Sequence, residues 1–122
     1  MLSLIQHLRR PDISFHQNGS IRIAANIVHT LNLSPGDSIN IAVSDGEYLL
    51  HAVHASDSIG RHHVRCYPTK RGSCNFKAQS VSLCRSLLSA IGISDTHASF
   101  LTGEALTLNN ITYIPIITKR PL

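Results

Sequence analysis

Six cationic side chains, Arg61, Arg65, Lys70, Arg71, Lys77 and Arg85, stand between Asp57 and Asp95, and no carboxylate lies between those two aspartates. A segment of one sign makes a positive field that attracts polyanions, and phosphate contacts from Arg and Lys supply most of the affinity of such binding. The whole chain has 11 Lys and Arg against 7 Asp and Glu, a net charge of +4 and a pI near 9.3. A charge run also serves as a solvated face with no partner. Two readings follow: a nucleic-acid footprint, with Arg22 joining Arg61, Arg65, Lys70, Arg71 and Lys77, or a basic surface for an acidic protein.

Other chemistry finds less support in the residue types. His51, His54, His62, His63 and Cys66 invite a zinc reading, but their spacing matches no closed tetrahedral pattern. On a strand His62 and His63 point to opposite faces. No metal and no cofactor is expected, and the histidines that stay on the surface add positive charge below about pH 6.5. There is no Gly-x-Ser-x-Gly elbow, no phosphate-cradling glycine loop and no pair of close carboxylates, so no enzyme is expected. Three cysteines, Cys66, Cys74 and Cys84, are odd in number and widely spaced, which argues against a disulfide framework. Tyr67 is an aromatic embedded in the basic stretch, beside Arg65 and Lys70. It does not by itself favour single strands or RNA over duplex DNA.

The elements that must carry these residues are marked by turns. Asn18-Gly19 separates Ile13–Gln17 from Ser20–Ala24, and Asp45-Gly46 separates Ser38–Val43 from Glu47–Val53. Both dipeptides suit the type I′ hairpin, with positive φ at two positions. Between them Asn26–Leu33 predicts a short helix with Ile27, Val28 and Leu31 on one face, Asn26 as its N-cap and Ser34-Pro35-Gly36-Asp37 as its breaker. Residues 13–53 therefore read β-β-α-β-β.

The second half repeats the order. Val64–Tyr67 and Ser73–Lys77 predict a hairpin whose turn holds Lys70 and Arg71. A helix follows from Gln79 to Ile91, with Val81, Cys84, Leu87, Leu88 and Ile91 on its apolar face and Gly92 at the C′ position. Strands over Ala98–Leu101, Ala105–Leu108 and Ile111–Ile117 complete it, with Asn109-Asn110 at a turn. Gly19–Val28 superposes on Gly72–Val81 at a constant offset of 53, with Gly, Ser, Ala and Val identical. The expected core includes Ile21, Ile23, Ile39 and Ile41.

One pattern is familiar. Gly19-x-Ile21-x-Ile23, then Ile27, Leu31 and Leu33, then Gly36-Asp37-x-Ile39-x-Ile41, resembles the AbrB/MazE/SpoVT swapped-hairpin family. The resemblance covers 13–53 well and 64–118 loosely. It implies a mostly β fold with two helices, in which duplicated β-β-α-β-β units form an AbrB-like, pseudo-dimeric barrel. It also implies duplex DNA as partner and a role in transcription regulation. Where many members carry arginine after the turn glycine and proline at the helix entrance, this chain has Ser20 and Ala24.

The expected division is an N-terminal arm 1–12, a first unit 13–53, a linker 54–60 and a divergent second unit 61–118, together one compact domain. One chain is expected to supply both units, as a monomeric pseudo-dimer or as a homodimer that exchanges strands. At 122 residues and 43% hydrophobic composition the chain has the means for a core. Its apolar runs are too short for a membrane span, and Met1–Leu8 lacks the leading basic region of a signal peptide, so a cytoplasmic protein is expected.

Overall fold

The computed structural model describes residues 10–54 and 64–119. The first nine residues of the expected arm, the linker after His54, Arg61, His62 and His63 lie outside them. Over the described residues the chain folds as nine antiparallel strands and two helices: β1 (Ile13–His16), β2 (Ser20–Ile23), α1 (Ala25–Thr30), β3 (Ser38–Ser44), β4 (Glu47–Val53), β5 (Val64–Pro68), β6 (Phe76–Gln79), α2 (Val81–Ala90), β7 (His97–Phe100), β8 (Leu106–Leu108) and β9 (Ile111–Ile116). Among the described residues no helix is long and apolar enough to cross a membrane.

The strands form one curled sheet in the order β7-β1-β2-β6-β5-β3-β4-β9-β8. Thr102, just beyond β7, bridges Ile116, and Ile117 N donates to Leu101 O at 3.0 Å, so the sheet bends back on itself like a barrel. The pairings cross between the halves of the sequence: β1 lies against β7, β5 against β3 and β2 against β6. Exchanging β1 with β5, β2 with β6, β3 with β7 and β4 with β9 carries the β1–β7 contact onto the β5–β3 contact. The β2–β6 and β4–β9 contacts map onto themselves.

Alternation explains which faces meet. Ile21 and Ile23 are buried while Arg22 between them is exposed. Phe15 and Phe100, both fully buried, meet at 6.1 Å between ring centres with tilted planes. Ile13, Leu50, Cys66, Cys84, Leu88 and Ile114 are also buried almost completely. Helix α2 lays Cys84, Leu87 and Leu88 over this core, and Gly92 follows it with a φ of 77°.

Several expectations need correction. Asn26 is not the N-cap of α1; Ala24 is, without a side-chain hydrogen bond. The cap comes from the other half of the sequence, where Asn75 Oδ1 accepts from Ala25 N at 2.9 Å. Asn26 instead donates through Nδ2 to Asp12 Oδ1. Strand β6 starts at Phe76, not Ser73, because Ser73–Asn75 are used up in the loop. There Thr69 N donates to Asn75 O, Ser73 N to Lys70 O, and Asn75 N to Ser73 Oγ. That loop also spoils the offset of 53: the helix N-caps Ala24 and Ser80 stand 56 apart.

Val81, expected in the core, is 42% exposed. As the first residue of α2 it lies over the Gly19 turn. Ile41 and Ile91 are only partly buried, the first where β3 runs out toward its turn and the second at the end of α2.

The Asn18-Gly19 turn is not type I′, since only Gly19 has positive φ. Gly19 N donates to His16 O at 2.9 Å, the geometry of a tight turn followed by a left-handed bulge residue. Asp45-Gly46 and Asn109-Asn110 do have positive φ at both positions.

Candidate nucleic-acid interface

The outward side of the sheet between β1 and β5 carries a row of directly opposed residues. Ser14 faces Arg22, Arg22 faces Lys77, and Lys77 faces Tyr67. Neighbouring strands lie about 4.8 Å apart, so the row spans roughly 14 Å. Alternation puts Arg65 on the same side of β5 as Tyr67. Arg22, Arg65, Tyr67 and Lys77 are all exposed, while Cys66 and Ala78, on the opposite side, are buried.

These side chains line an open hollow of about 550 Å³, together with Ser20 and Gln79, which face each other across β2 and β6. A second hollow, of about 370 Å³, shares Arg22 and adds Arg10 and the base of the β5–β6 loop, Thr69 and Asn75. Among the described residues neither hollow has an acidic residue in its lining. Opposing Arg22 to Lys77 costs the sheet some tenths of a kcal/mol, because like charges meet without a carboxylate between them.

Comparison with known families, curated proteins and solved structures returns no match.

The expected site residues divide as follows. Arg22, Arg65 and Lys77 come together. Lys70 and Arg71 are exposed in the loop between Thr69 and Asn75, whose two ends border the second hollow. Arg61 lies outside the described residues. Arg85, in the acid-free stretch but not among the expected site residues, is on α2, its Nε donating to Gln17 O at 3.2 Å. Arg10, whose place by the second hollow depends on the chain's path into β1, was missed. Its basic neighbour Arg9 was a signal in the sequence, but nothing local ties that pair to Arg22.

Of the histidines and cysteines weighed as zinc ligands, three, His51, His54 and Cys66, lie within the described residues. His54 Nδ1 lies 2.8 Å from the buried Asp37 Oδ2, which also accepts from Ser34 N. His51 stacks at a tilt on Tyr113, and burial holds its pKa below the usual value. Cys66 is fully buried, and burial reinforced by the Asp37 charge pushes its thiol up to about 12. Such a thiol is inert as a nucleophile at neutral pH. Among the described residues no group of three or more His, Cys, Asp or Glu is placed to hold a metal.

Proposed function

We propose that this protein binds DNA through the outward side of β2, β6 and β5, as a regulator of AbrB-like swapped-hairpin architecture whose two units lie in one chain. The observation that carries the reading is the direct opposition of Arg22 and Lys77 at the centre of the face, with Arg65 beside them and, among the described residues, no carboxylate in the lining. A phosphate between two such cations removes their repulsion and gains charge-assisted hydrogen bonds. Arg10, Lys70 and Arg71 extend the positive field on one side. The contacts are to phosphate, so they position the chain on DNA and give little choice of sequence. The interleaved pairing supports the swapped-hairpin reading, since each half of the chain places its first strand against the third strand of the other.

A second reading has its own observation. Leu106, Leu108 and Ile111 on the β8–β9 hairpin are exposed, and among the described residues β8 pairs with one strand, β9. An apolar edge of that kind suits a protein-interaction or assembly module. A gel shift on duplex DNA separates the two. Retardation that is lost when Arg22 and Lys77 are both replaced by Glu supports DNA binding. Retardation unaffected by that change would put the DNA contact away from Arg22 and Lys77, and none with the unaltered chain favours the assembly reading.

A further inference from the structure

Tyr67 distinguishes the two sides of the basic face. The strand exchange that brings Arg22 onto Lys77 brings Ser14 onto Tyr67, so the cation is kept on both sides and the aromatic ring on one. The ring is 47% exposed on the open side of a sheet, and among the described residues it meets no other ring. Its neighbours in the hollow are Lys77 directly across, Arg65, Arg22, and the hydrogen-bonding side chains of Gln79 and Ser20. An aromatic face bounded by cations and amides, in a space of about 550 Å³, has the composition of a base-stacking platform with phosphate holders around it. A paired duplex offers phosphates and base edges but hides its base faces in the stack. A free base face is found in a single strand, at a bulge, or on an extruded nucleotide.

We infer that the Tyr67 hollow takes one unpaired nucleobase, stacked on the tyrosine ring, with the adjoining phosphates held by Arg65 and by the Arg22–Lys77 pair. The inference rests on the nucleic-acid reading above and narrows its substrate: nucleic acid with an unpaired base is preferred to the same sequence fully paired.

Fluorescence anisotropy with three labelled DNA probes of one sequence tests it: a paired duplex, the duplex with a single-nucleotide bulge, and the single strand. The unaltered chain binds the bulged and single-stranded probes about five- to a hundredfold more tightly than the paired one. Tyr67→Ala removes that preference, whereas Tyr67→Phe keeps it. Equal or tighter binding of the paired duplex overturns the inference while leaving the DNA reading intact, as does a preference that survives Tyr67→Ala. No binding of any probe overturns the DNA reading, and this inference with it. Circular dichroism confirms that the exposed-site variants are folded.

Discussion

Gly19 is held on two independent grounds. Its φ of 97° is one that side chains rarely adopt, and a Cβ there would stand 2.7 Å from Val81 N and 2.6 Å from Gln79 Nε2. Gly46, with φ 78°, has open space around it. Gly19→Ala is therefore expected to cost about 2–4 kcal/mol, and Gly46→Ala about 1–2 kcal/mol, in urea unfolding. Equal costs would mean that the close approach of the β1–β2 turn to α2 is wrong. The cysteines give a second check at this scale. Cys74 is exposed, while burial raises the thiols of Cys66 and Cys84. One thiol should react quickly with a disulfide reagent at pH 8, and all three after denaturation. Fast labelling of Cys66 in the folded chain would contradict its place in the core. His51 predicts a pH effect. Burial lowers its pKa from 6.5, so the unfolded chain takes up its proton first as pH falls. Its contribution is present above 6.5, is lost as pH drops from there toward the lowered value, and is absent from the unfolding curves of His51→Gln.

Helix α2 shows how far an element could be read in advance. The apolar spacing of Cys84, Leu87 and Leu88 placed three of its residues in the core, and Gly92 placed its end. Leu88→Ala should cost about 2–5 kcal/mol, whereas Val81→Ala should stay within about half a kcal/mol. Thermal or urea unfolding of the pair tests the helix orientation, and a large loss at Val81 would turn the helix face around. Val81 itself was misplaced because helical spacing fixes a direction but does not show what covers the first turn. The long strands β3 and β4 were legible because Asp45-Gly46 fixes their register. Strand β6 was not: whether Ser73–Asn75 extend the hairpin or fold into its loop depends on hydrogen bonds to Thr69 and Lys70. The cap of α1 by Asn75 was invisible for the same reason, being a contact across 50 residues. Of the site, the alternation around Arg22 and the acid-free stretch holding Arg65 and Lys77 were visible. Their meeting was not, since only the antiparallel β2–β6 register brings Arg22 opposite Lys77.

At the scale of the molecule, function is read from cations that sequence separates and the sheet assembles. The β2–β6 contact sits where the exchange of halves maps the sheet onto itself, so the central cation pair belongs to both halves. Among the described residues four cations border the two hollows, Arg10, Arg22, Arg65 and Lys77, with Lys70 and Arg71 exposed in the adjoining loop. Four to six phosphates neutralised on duplex DNA give a slope of log K against log salt of roughly −4 to −5. Replacing Arg22 and Lys77 together by Ala removes two of them and should bring that slope to roughly −2 to −3, with affinity falling most at low salt. The direct measurement is the dissociation constant for one duplex between 50 and 200 mM salt, in the unaltered chain and in the Arg22→Ala/Lys77→Ala variant. A steep slope that flattens by about two in the variant is the predicted result. A slope near zero, or one that the double substitution leaves unchanged, would contradict a phosphate footprint centred on β2 and β6.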